Sequence, residues 1–135
     1  MQKDMRMYGI RNYYQKNSAF KLNKFVYQKT RKHVMCYHLY KELAEKMSSL
    51  DAINKQENHS ITKVDAINYV KEIDEALLWV REGYREAVFD NTTNNYSYEY
   101  TALKYNLNTK NLIENINIFI YAVAQARGDY TGLDF

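Results

Sequence analysis

Apolar residues recur at three- and four-residue intervals over most of this chain, and only short polar runs interrupt them. Between Ser18 and Leu50, Phe25, Val26, Val34, Cys36, Leu39, Tyr40, Leu43 and Met47 give a helical rhythm, with a break expected near Thr30. The polar stretch DAINKQENHSI at 51–61 reads as a linker. Thr62, with Asp65 three residues later, resembles a helix start. From there Val64, Ile67, Val70, Leu77, Val80, Tyr84 and Val88 keep close to one face over about seven turns, which predicts one long central helix. The run DNTTNN at 90–95 reads as a hydrophilic loop.

Beyond that loop the spacing changes. From Tyr84 to Gly128 the order is helix, polar loop, short helix, tight turn and longer helix, the layout of a helix-turn-helix over about 97–127. Ser97 can cap the short helix through its hydroxyl, and Glu99 in the first turn complements the positive end of the helix dipole. Ala102 is small where a second helix must cross. Tyr105 and Leu107 bracket Asn106, and asparagine accepts the left-handed backbone of a sharp turn more readily than most residues with a side chain. The turn is therefore expected at 106–108. Asn108 or Thr109 then caps a helix whose apolar positions are Leu112, Ile116, Ile120 and Val123, leaving Thr109, Lys110, Ile113, Glu114 and Asn117 on the other side. Gly128 suits the left-handed residue that closes a helix.

These features resemble the region-4 helix-turn-helix of bacterial sigma factors. More closely, they resemble the ArpU-type phage transcriptional regulators, in which a helix of the kind DAINYVKEIDEALLWV precedes a similar motif and an apolar helix of the AVAQARG kind follows. The resemblance covers residues 62–135. Thr101 departs from it, standing where such motifs usually place a larger aliphatic. What the resemblance implies is a small phage or prophage DNA-binding regulator of late genes in the cytoplasm of a bacterial host, with double-stranded DNA as ligand and host RNA polymerase as a further contact. Lys110, Lys29, Arg31 and Lys32 would hold phosphate, while Asn111, Asn115 and Asn117 would reach base edges beside Glu114, because an Asn amide pairs with adenine in the major groove. A homodimer, meeting at Trp79 or Tyr84, would multiply modest half-site affinity. The alternative is a non-enzymatic helical protein that binds and modulates a host protein, with the apolar Ile113 on its contact ridge.

Composition agrees with a helical, globular chain. With 135 residues, 46% of them hydrophobic and 26% charged, one core is affordable; an arm at 1–17 and a single helical domain at 18–135 are expected. Proline is absent and there are four glycines, which favours an all-α fold. No apolar run reaches the roughly 18–20 residues a membrane span needs. The start, MQKDMRMYGIRNYY, lacks the apolar segment of a secretory signal, and the lone Cys36 cannot form an internal disulfide, so a cytoplasmic setting is expected. The net charge of +3 is uneven: residues 1–46 carry eleven Lys and Arg against three acids, and the remainder eight against thirteen. Electrostatic attraction to nucleic acid would therefore come from the N-terminal third. Tyr8, Tyr13, Tyr14, Phe20, Phe25 and Tyr27, interleaved with its charges, suit either base stacking or the packed face of an amphipathic helix.

Catalytic readings are thin. Arg31 and His38 match the loose Arg-to-His spacing of HEPN-type ribonucleases, although a surface role explains them as well. Glu72, Asp74 and Glu75 resemble one half of a magnesium-binding acidic pair, but no second half of suitable spacing follows. His33, Cys36 and His38 fall short of a zinc set, and Cys36 reads as a small buried hydrophobe. No phosphate loop and no nucleophile setting occur. No enzyme activity, cofactor or metal is expected.

Overall fold

A computed structural model of the chain describes residues 22–46 and 63–128. The arm at 1–17, the linker at 51–61, Met47 and the start at Thr62 lie outside the described residues. Among the described residues there are six α-helices and no strand, so the fold is all-α. They are α1 (Lys24–Val34), α2 (Tyr37–Lys46), α3 (Lys63–Ala76), α4 (Arg85–Asn94), α5 (Tyr98–Tyr105) and α6 (Thr109–Ala126).

Asn23 starts α1, its side chain accepting the Phe25 N–H at 2.8 Å. Tyr27, Thr30, Arg31 and Val34 form the buried stripe of this helix, at the offsets of a single helical face. Thr30 does not break it. Its hydroxyl donates to the Val26 carbonyl at 2.7 Å, and the break comes at Met35 and Cys36 instead. Cys36 is exposed there rather than buried, because the inward positions on either side of the turn are Val34 and Tyr37. Phe25 and Leu39, expected among the apolar contacts, also face outward.

α2 packs along α3. Tyr40 meets Tyr69 edge to face at 4.1 Å between ring centroids, and the Tyr69 hydroxyl donates to the His33 carbonyl. Tyr37 donates to the Asp74 carboxylate at 3.1 Å; burial, with that carboxylate beside it, pushes the phenol pKa up to about 12.

The long central helix is three pieces rather than one. α3 buries Ala66, Tyr69, Val70, Ile73 and Ala76, whereas Val64 and Ile67 are 65% and 45% exposed. The chain then passes through a 3-10 turn at Leu77–Trp79, an extended Val80 (φ −85°, ψ 143°) and a second 3-10 turn at Glu82–Tyr84. No proline forces the break; side chains from elsewhere satisfy the backbone groups it frees. Arg85 donates to the Val80 and Leu78 carbonyls at 2.8 and 3.3 Å, and the Asn115 side chain accepts the Arg81 N–H at 3.2 Å. In exchange Val80 enters the core.

The expected loop at 90–95 is mostly helix, since α4 continues to Asn94. Its polar residues are accommodated by the helix itself: Thr92 donates to Val88, Thr93 to Phe89 and Asn94 to Asp90 carbonyls at 2.7, 2.7 and 3.0 Å. Asn95, left-handed at φ 56°, ends it. The core then converges on α6, which contacts α1, α3, α4 and α5 and buries Leu112, Ile116, Phe119, Ile120 and Val123. Each such side chain removed from water contributes about 1.5–3 kcal/mol.

Candidate nucleic-acid interface

The turn between α5 and α6 is built from local pieces. Ser97 Oγ accepts the Tyr100 N–H at 3.0 Å, and Glu99 lies in the first turn of α5. Thr101, which stands where such motifs usually place a larger aliphatic, is fully buried, and its hydroxyl accepts the Asn91 amide at 2.9 Å. That amide also donates to the Tyr96 and Ser97 carbonyls at 3.0 and 3.3 Å, so a polar junction replaces an aliphatic one between α4 and α5. Asn106 takes the left-handed conformation (φ 56°, ψ 52°), and the Leu107 N–H closes the helix on the Ala102 carbonyl at 2.9 Å. Asn108 caps α6 by accepting the Asn111 N–H at 3.0 Å. At the far end Gly128 has φ 75°.

α5 is also clamped to α4. Lys104 Nζ and the Tyr105 hydroxyl reach the same Asp90 oxygen at 2.7 and 2.9 Å. Burial alone would raise the Asp90 pKa, but the hydrogen bonds from Lys104 and Tyr105 outweigh it and hold the carboxyl below its usual range. Lys104 is raised by its hydrogen bond to Asp90. This base, within the motif itself, is therefore engaged in holding the two helices together.

The first turns of α6 present Lys110 and Asn111 to solvent, with Thr109, Ile113 and Glu114 partly covered beside them. Asn117 and Asn115 do not join this ridge. Asn117 is 1% exposed and accepts the Tyr27 hydroxyl at 3.0 Å. Asn115 is buried between the Arg81 N–H and the Asn111 carbonyl, to which its amide donates at 2.9 Å. Neither can meet a base edge in this conformation, because both lie on the side of α6 that packs against the rest of the chain.

The basic residues of α1 divide in the same way. Lys29 and Lys32 are exposed. Arg31 is fully buried, one turn after Tyr27 on the packed stripe; its Nη2 donates to Asn95 Oδ1 at 3.3 Å, while Nε and Nη1 have no hydrogen-bond partner among the described residues. It is therefore withdrawn from any phosphate. Tyr27 meets α6 at Asn117, and His33 lies 2.8 Å from Arg127 at the α6 end. The Lys29–Lys32 stretch thus runs beside the carboxyl-terminal half of α6, displaced by about 15 Å along the helix from Lys110 at 1.5 Å per residue. The fold does not bring the two basic sets into one patch.

Two residues outside the expected site do join it. Trp79 and Arg81, on the broken stretch before α4, line a groove of about 400 Å³ together with Asn111, Glu114, Asn115 and Ile118. Arg81 also lies 5.9 Å from the centre of the Tyr84 ring. Read as part of a continuous helix, neither shows that it faces α6. Arg31 and His38 do not form a shared surface, since Arg31 is interior and His38 exposed. Glu72 lies 3.6 Å from His33, and among the described residues no three His, Cys, Asp or Glu side chains gather as metal ligands. No helix among the described residues is long and apolar enough to cross a membrane. No protein-family model, curated protein or solved structure matches the chain.

Proposed function

We propose that this chain is a DNA-binding transcriptional regulator that sets the amino-terminal turns of α6 against duplex DNA. The observation that carries the reading is the left-handed Asn106 turn, which separates a capped eight-residue helix from a capped eighteen-residue helix and leaves Lys110 and Asn111 exposed at the latter's start. In a helix-turn-helix that end of the second helix contacts base edges. Lys110 is the phosphate or guanine contact and Asn111 the adenine contact, with the helix amino terminus adding donors for a phosphate. The ArpU-type resemblance extends the proposal to late phage promoters, host RNA polymerase as a second contact, and a homodimer spanning two half-sites. The test is a mobility shift on AT-rich duplex at two salt concentrations. Binding should weaken steeply as salt rises, and Lys110→Ala should lower affinity several-fold and reduce the salt slope by about one. Absence of any shift at low salt removes the proposal.

A second reading, a regulator that binds a host protein, draws on the outer face of α5, where Tyr100 and Leu103 are 49% and 83% exposed. Leu103→Glu separates the two: it should leave a duplex shift intact and abolish capture of a protein partner.

A further inference from the structure

We propose that the outward face of α1 is a binding surface for single-stranded nucleic acid, with Phe25 stacking on an unpaired base and Lys24 and Lys32 holding phosphates of the same strand. The surface is separate from the Lys110 ridge and does not rest on duplex binding.

α1 reads KFVYQKTRKHV and contains no acid. Its two aromatic residues are placed differently: Tyr27 is fully buried and donates to Asn117, whereas Phe25 is 74% exposed. Of the two roles open to a ring in a basic segment, packing accounts for Tyr27 and stacking is left to Phe25. Helical rotation determines what surrounds it. At 3.6 residues per turn Lys29 and Lys32 fall within about 40° of Phe25 around the axis, and Lys32 stands about 10 Å beyond it at 1.5 Å per residue. Lys24 adjoins Phe25 on its amino-terminal side. All of these side chains are exposed. Among the described residues, neither Lys24 nor Lys32 pairs with a carboxylate, and the Phe25 ring meets no other ring.

The opposite face holds the helix still. Tyr27, Thr30, Arg31 and Val34 are buried, so the outward groups stand on backbone that is already packed and needs no ordering when a strand arrives. Their chemistry also selects the partner. Lysines attract any polyanion, but a flat apolar ring set among them finds a matching face only in an unpaired base, because a duplex presents phosphates and base edges while its base faces are stacked on one another. An acidic peptide would satisfy the lysines and leave the ring uncovered. A bilayer is entered through a broad apolar face, and Phe25 is the one large apolar residue that α1 exposes.

The test is fluorescence anisotropy on the full chain at low salt, with three short end-labelled strands: thymine DNA, uracil RNA and an abasic DNA that keeps the phosphates without the bases. The parent should bind both base-carrying strands, and the tighter of the two identifies the ligand as DNA or RNA. Phe25→Leu should weaken the thymine strand about fivefold or more, the loss of one base stack, and leave the abasic strand unchanged. Phe25→Trp should bind at least as tightly as the parent. Lys24→Gln and Lys32→Gln should each lower the slope of log affinity against log salt by about 0.7. Helical circular dichroism checks that every variant keeps its fold. No binding of either base-carrying strand, or equal losses by Phe25→Leu on the thymine and abasic strands, overturns the proposal, as does an equal Phe25-dependent affinity for anionic phospholipid vesicles or an oligo-glutamate peptide. Lys110→Ala separates this surface from the duplex reading: it should weaken the duplex shift and leave strand binding intact, with Phe25→Leu doing the reverse. Strand binding lost in Lys110→Ala would place the strand on the α6 ridge and remove this surface.

Discussion

Two of the bends among the described residues, at Asn106 and at Val80–Arg81, lie beside α6 and are held in unlike ways. At Asn106 the reversal is closed by its own neighbours: a left-handed residue, the Leu107 N–H on Ala102, and the Asn108 cap on Asn111, all within ten residues. At Val80 and Arg81 the break is closed partly by the nearby Arg85 guanidinium and partly from a distance, by Asn115 thirty-four positions from Arg81. The first device needs only a helix to begin after it. The second exists only when α6 is already packed, because Asn115 must be buried to face Arg81. The Lys110 surface is thus positioned locally, whereas the Trp79 surface depends on the assembled core.

The largest effect that separates them is expected from Asn115→Ala. It removes two part-buried hydrogen bonds, the one from the Arg81 N–H and the one to the Asn111 carbonyl, each worth about 0.5–1.5 kcal/mol, so a loss of about 1–3 kcal/mol follows. Urea unfolding measures it, and the native emission of Trp79 should shift as its loop loosens. A change below about 0.5 kcal/mol, the level of an ordinary surface substitution, would mean that the break is held by something else.

Asn106 should respond less and without touching Trp79. Asn106→Ala places a residue poorly suited to the left-handed region at φ 56°, at a cost of about 1 kcal/mol. Asn106→Gly relieves that backbone strain and should fall within about 1 kcal/mol of the parent. The paired outcome, Ala lower and Gly near parity with unaltered Trp79 emission, checks that the turn is a local matter. Equal losses from both would point to a role for the Asn106 side chain itself.

The same contrast explains which parts of the fold could be read from residue order. Ser97, Asn106, Asn108 and Gly128 act on atoms within a few positions of themselves, so residue type and spacing were enough to place them. The helix break at 77–84 was hidden because Leu77, Val80 and Tyr84 keep helical spacing across it; the information lies in Arg85 and in Asn115. Polar character misled in the interior. Thr92, Thr93 and Asn94 look like a loop, yet each returns a hydrogen bond to a carbonyl of its own helix. Arg31 and Asn117 look like surface contacts, but Arg31 follows Tyr27 by four residues on the packed stripe and Asn117 receives the Tyr27 hydroxyl. For the candidate site, Lys110 and Asn111 were legible, whereas Trp79 and Arg81 were not, since their approach to α6 is a tertiary event.

The smallest expected effect belongs to the clamp beside the local turn, and it is a matter of pH. Asp90 has a carboxyl pKa below its unfolded value: burial opposes this, and the bonds from Lys104 and Tyr105 prevail. The unfolded chain therefore binds the proton more readily in acid, and the stabilisation from Asp90 is complete above the unfolded carboxylate pKa of about 3.9 and is lost as pH falls through the lower folded value. Lys104 is exposed enough for solvent to screen the pair, which keeps the contribution small. Asp90→Asn should accordingly be slightly less stable than the parent at pH 6 and should lose less stability between pH 6 and pH 3, when urea midpoints of the two proteins are compared at both pH values. Parallel losses would show that Lys104 and Tyr105 do not hold α5 through this carboxylate, and the Asn106 turn would then be sustained by its own hydrogen bonds and the core beneath it alone.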